Sequence, residues 1–73
     1  MIQAKEIRLE LFRADIYGAA SSVVYEVRYT GPIDLEWQQD NLVIVAADPG
    51  GEVGVRRIFT YRRHLVRGIL VLQ

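Results

Sequence analysis

Apolar and polar residues alternate along much of this chain, and a period of two is the mark of a strand with one face in a core and the other in water. From Lys5 onward Ile7, Leu9 and Leu11 fall on one side, with Arg8, Glu10 and Phe12 on the other. Helix competes here, because Glu, Arg and Leu favour it and Ile7 and Leu11 stand four apart, but the alternation favours a strand. Residues 15–22 hold Gly18 and two consecutive serines, the composition of a connection. Residues 23–29 are the clearest strand, dense in β-branched and aromatic side chains, with Val23, Tyr25, Val27 and Tyr29 on one face and Val24, Glu26 and Arg28 on the other. Thr30, Gly31 and Pro32 are expected to end it, since proline has no amide to donate.

Ile33, Leu35 and Trp37 alternate with Asp34 and Glu36, which reads as a short strand or a single helical turn. Trp37 is the largest apolar group, and its expected place is a core or rim anchor rather than a ligand-stacking platform. Residues 38–41 are a turn candidate. Residues 42–47 form a continuous apolar run, expected of a strand covered on both faces by the core and by another element or another subunit. Asp48, Pro49, Gly50 and Gly51 carry the strongest turn signal and predict a hairpin, after which Val53, Val55 and residues 58–61 resume strand composition, with Gly54 as a bulge candidate.

The tail admits two readings. Wound as a helix, Ile58, Phe59, Tyr61, Leu65, Val66 and Ile69 share a half-circle, with Arg62 breaking that face and no clear cap at either end. The favoured reading is a strand, a tight helical turn near residues 62–65, and a last strand over residues 69–72 that pairs back into the sheet. The fold class is therefore mainly β, a small antiparallel barrel or curled sheet of five to six short strands in one domain, 1–73. An α+β fold with a C-terminal amphipathic helix is the alternative.

Composition adds a size limit. With 73 residues and no cysteine, the chain sits near the lower bound at which one apolar core suffices, and it has no disulfide or thiolate metal site to help. Homo-oligomerisation is the remaining common route, so a homo-oligomer is expected. The lack of cysteine suits a reducing compartment, and a cytoplasmic location is expected. No signal-peptide pattern follows Met1, and no uncharged run approaches the roughly 20 residues of a spanning helix, so no membrane partner is expected.

Charge is divided sharply along the chain. Residues 1–52 hold all nine acids against Lys5, Arg8, Arg13 and Arg28, whereas residues 53–73 hold Arg56, Arg57, Arg62, Arg63, Arg67 and His64 and no acid. The candidate partner-binding or nucleic-acid-binding residues are Arg56, Arg57, Arg62, Arg63, His64, Arg67 and Tyr61. Guanidiniums hold phosphates and stack on bases, and Phe59 and Tyr61 interleave with them as stacking platforms. The competing expectation is that these arginines pair with the acidic first two-thirds or with a neighbouring subunit. Catalysis is not expected. Ser21 or Ser22, His64 and Asp15 or Asp48 name a triad nominally, but no nucleophile-elbow pattern surrounds either serine. Asp34, Glu36 and Asp40 lack the glycine and spacing of a calcium loop, and Gly50, Gly51 and Gly54 are not followed by a phosphate-loop pattern, so no metal and no cofactor is expected.

Leu65, Val66, Arg67 and Gly68 resemble the second Sm box. That resemblance implies a five-stranded barrel that forms rings and binds single-stranded RNA, with Arg67 in the RNA pocket. It covers four residues, and no first Sm box stands in the sequence beyond the distant echo of Asp40-Asn41. The leading functional expectation is a non-enzymatic β module of SH3 or Sm size that self-associates and presents its Arg-rich C-terminal face to a partner. The alternatives are single-stranded RNA or DNA binding through that face, and a structural accessory subunit docked on another protein through residues 42–47.

Overall fold

The computed structural model describes residues 1–48 and 50–73. Among these residues five strands follow one another, β1 (Ile2–Ala14), β2 (Ala20–Gln38), β3 (Asn41–Ala47), β4 (Arg56–Arg62) and β5 (Val66–Leu72), with a single 3₁₀ turn at Arg63–Leu65. All pair antiparallel in one sheet of order β4-β3-β2-β1-β5, which curls without closing. The mainly β reading holds, and the helical turn expected near residues 62–65 is the 3₁₀ turn. The amphipathic C-terminal helix does not form, because Gly68 and the β-branched residues after it extend along β1 instead. Among the described residues no helix is long and apolar enough to cross a membrane.

The core is one row per strand. Ile7, Leu9 and Leu11 of β1 are buried, as their alternation predicts, and they meet Tyr29, Ile33 and Leu35 of β2 and Leu42, Ile44 and Ala46 of β3. Phe59 and Tyr61 of β4 and Ile69 and Val71 of β5 pack against this cluster. β1 is flanked on both sides, since Glu6, Ile7, Arg8, Leu9, Glu10 and Leu11 each pair with both β2 and β5.

β2 is longer than expected. Thr30, Gly31 and Pro32 do not end a strand, because β2 runs 19 residues straight through them. Thr30 pairs with Glu6 and Ile33 with Ala4, so Gly31 and Pro32 together oppose Lys5 alone, a β-bulge. Gly31 holds φ 87°, open to glycine without strain, and a bulged proline forfeits no ladder bond. Beyond this bend β2 keeps its pairing with β1, where Ile33, Asp34 and Leu35 face Ala4, Gln3 and Ile2, and takes on β3 from Asp34, ending in a two-residue turn with Gln39 at φ 56°. The first connection is shorter than the expected 15–22. Asp15 accepts from Tyr17 N at 2.8 Å and Ala19 N at 3.0 Å through Oδ1, and β2 begins at Ala20.

The reversal after β3 is longer than a tight hairpin. Asp48 accepts from Gly51 N at 3.0 Å and from Gly50 N at 3.1 Å, while Pro49 lies outside the described residues. Val53 and Val55 do not resume a strand, and Gly54, at φ 85°, belongs to this loop rather than to a bulge. The run 42–47 is covered on its inner face only: Leu42, Ile44 and Ala46 are buried, Val43 and Val45 are half-buried, and Ala47 is exposed. Ile44, fully buried between Leu35 and Phe59, is a sensitive position. Ile44→Ala should cost about 2–5 kcal/mol, read as a lower urea midpoint at unchanged slope.

Candidate functional site

The strand order determines where the basic tail goes. β4 lies at one end of the sheet beside β3, which holds no charged residue, and β5 lies at the other beside β1, which holds Glu6 and Glu10. Arg56 sits over the β2 bend, where its Nη2 donates to Pro32 O at 3.0 Å and Val45 O at 2.9 Å and meets Asp34 Oδ2 at 3.3 Å. Arg57 Nε lies 3.3 Å from Asp48 Oδ2. At the far end of β4, Arg63 Nε is 3.9 Å from Asp40 Oδ1, and its Nη2 donates to Gln39 O at 3.0 Å. Across the sheet, Arg67 Nη1 lies 3.4 Å from Glu10 Oε2. Arg62 has no acidic partner among the described residues.

The seven candidate residues therefore do not gather on one face. Arg56 and Arg57 stand at one end of β4, Arg67 stands on β5, and the structure brings together only Arg62, Arg63 and His64. These three border an open cleft of about 480 Å³ with Asp40 and Asn41. The Arg63 guanidinium lies 4.1 Å above the ring of Trp37, a cation–π contact on a tryptophan that stands exposed rather than in the core. His64 Nε2 approaches Gly18 O at 2.7 Å, and because a carbonyl only accepts, the imidazole donates and ties the 3₁₀ turn to the β1–β2 turn. A larger hollow of about 560 Å³ lies at the β2 bend between Lys5, Gly31, Pro32 and Arg56, but its guanidinium is already committed to the fold.

Tyr61 turns inward. Its hydroxyl hydrogen-bonds that of Tyr29, whose ring packs on Phe59 with centroids 4.9 Å apart. The two aromatics expected as stacking platforms are thus half-buried core contacts. Burial first, then the bond to Tyr61, pushes the Tyr29 phenol above its ordinary value. Of the nominal triad, Asp15 Oδ1 accepts from Tyr17 N and Ala19 N in the β1–β2 turn, and Ser21 Oγ, at the start of β2, accepts from Val23 N at 3.2 Å. Among the described residues no three His, Cys, Asp or Glu side chains stand close enough to hold a metal ion.

Sequence reasoning missed the division of labour among the arginines, since nothing in their local spacing separates Arg56, with three acceptors, from Arg62, with no acid. Comparison with family models, with curated proteins and with solved structures finds no match for the chain.

Two outcomes follow from this geometry. Arg56→Ala should lower stability by about 1.5–3 kcal/mol, the range for charged hydrogen bonds, whereas Arg62→Ala should stay within about 0.5 kcal/mol, both by urea denaturation. A phenol whose folded value lies above the unfolded one, near 10, holds its proton more tightly when folded. Stability should therefore fall as pH rises above about 10, and melts at pH 9 and 11 should show a smaller fall in Tyr29→Phe than in the parent chain.

Proposed function

We propose that this chain is a non-catalytic β module that assembles with copies of itself and presents the Arg62, Arg63 and His64 end of β4 to a partner. The carrying observation is an open sheet whose terminal strands each leave one edge without a neighbour among the described residues. Such edges are rows of unpaired amides and carbonyls, ready to accept another strand. Exposed apolar side chains accompany them: Ile58 on β4, and Leu70 and Leu72 on β5. Assembly also suits the small core, which a chain of this length augments by burying surface between copies. The cysteine-free sequence fits a reducing, cytoplasmic setting.

A second reading is single-stranded RNA or DNA binding at the same end. Arg62 has no acid beside it, and Arg63 lies over an exposed aromatic ring, the pairing that accommodates phosphate and base. Asp40 in the same cleft opposes it. The accessory-subunit reading rests on the outer face of β3, where half-buried Val43 and Val45 stand beside Thr60 and exposed Ile58 of β4. Light scattering coupled to size-exclusion chromatography at two salt concentrations tests assembly: a mass above 8.3 kDa at high micromolar concentration is expected, and a strict monomer sinks the proposal. Fluorescence anisotropy against short RNA and DNA tests the second reading, which needs binding that weakens steeply with salt and is lost in Arg62→Glu/Arg63→Glu. Loss of capture of a partner protein in Val43→Asp or Val45→Asp, with assembly intact, would select the third.

A further inference from the structure

Strand edges that stay solitary are covered, charged or interrupted. The β4 edge carries Arg56, Arg57 and Arg62; two β4 strands paired antiparallel about Phe59 would set Arg56 against Arg62 of the second copy, like charges directly opposed. Among the described residues the first half of β2 also has one neighbour only, and it carries Glu26 and Arg28. β5 differs from both. Residues 68–72 read Gly-Ile-Leu-Val-Leu, without charge or proline. Leu70 is 52% exposed and Leu72 44%.

The register locates the centre of this edge. Glu10 pairs with Gly68 and Leu11 with Val66, leaving Arg67 as the extra residue of a bulge. Regular pairing therefore runs over residues 68–72, with Leu70 in the middle.

We propose, building on the self-association reading, that two copies join through their β5 edges about a two-fold axis at Leu70, so that two five-stranded sheets become one continuous sheet. An axis normal to the sheet keeps outer side chains outside, so directly opposed residues share a face. Leu70 then meets Leu70 of the second copy, Ile69 meets Val71, and Gly68 meets Leu72. The last pair is complementary in shape. Gly68 has nothing within 4 Å of the position a Cβ would take, and it lines an open hollow of about 410 Å³ with Arg8, Glu10, Glu26 and Leu70. The second copy's Leu72, on the same outer face, fills that space and shields both leucines. Arg67 remains bound to Glu10 at the margin, and no like charges are brought together.

The chain has no cysteine, which makes a single introduced thiol unambiguous. Opposed residues of an antiparallel pair have Cα atoms about 4.5 or 5.5 Å apart, and a disulfide accepts either spacing. Under mild oxidation Leu70→Cys should give a covalent dimer at least about tenfold faster than Ile58→Cys on β4, because paired thiols meet at high effective concentration. Leu70→Lys, with a side chain already directed outward, should keep the parent's circular dichroism yet elute at the 8.3 kDa mass while the parent elutes at twice that. If the parent associates but Leu70→Cys links no faster than Ile58→Cys, or Leu70→Lys leaves the mass unchanged, the β5 axis is wrong and assembly stands by another route. A parent chain that is monomeric throughout removes both.

Discussion

The bend in β2 is the constraint on which the rest of the molecule depends. One 19-residue strand pairs with β1 on both sides of the bend and gains β3 as a second neighbour beyond it, so it must change direction without losing its ladder. Gly31 supplies the left-handed φ, Pro32 occupies the one place where a missing amide is harmless, and Arg56 reaches across from β4 to the Pro32 carbonyl. Because that guanidinium also holds Val45 O and Asp34, three strands are fastened at the corner. Without the corner, the rows of Ile7, Leu9 and Leu11 and of Leu42, Ile44 and Ala46 would lie along a flat sheet rather than enclose one core.

Electrostatics acts here as a guide to pairing more than as a source of stability. The ion pairs lie near the surface, where each contributes about 0–1 kcal/mol. Their arrangement is nevertheless orderly. Arg8 stands directly opposite Arg28 and Glu10 opposite Glu26, two like-charge pairs that would weaken the ladder if left alone. Glu6 meets both arginines, at 3.4 and 3.3 Å, and Arg67 attends to Glu10. The two opposed charge blocks of the sequence thus meet each other inside one chain, and among the described residues Arg62 is the arginine of the tail left without an acid.

Much of the fold is legible in the sequence where one local signal governs. The alternation of Ile7, Leu9 and Leu11 marks the buried row because β1 is paired on both sides and its inner face has nowhere else to go. Arg62 interrupting an apolar arc, with Gly68 after it, marks the strand, turn and strand of the tail. Misreadings occur where a local signal is overridden by a distant partner. Gly31-Pro32 reads as a stop, and only the opposing Lys5 turns it into a bulge. Val53 and Val55 have strand composition, yet Val53 is fully exposed in a loop because no neighbouring strand reaches it. The candidate site is the least legible part, since Arg56 and Arg67 find their acceptors on strands far away in sequence, whereas Arg62, Arg63 and His64 are adjacent and stay together.

The pairing of β5 with β1 joins nearly opposite ends of the described chain. Until Val66–Leu72 has been synthesised, the Ile7, Leu9 and Leu11 row has a neighbour on one side only, and no early hairpin can substitute for the missing strand. The native sheet is therefore completed late and from remote parts, a topology that folds slowly and leaves the nascent chain with sticky, half-finished intermediates on the ribosome.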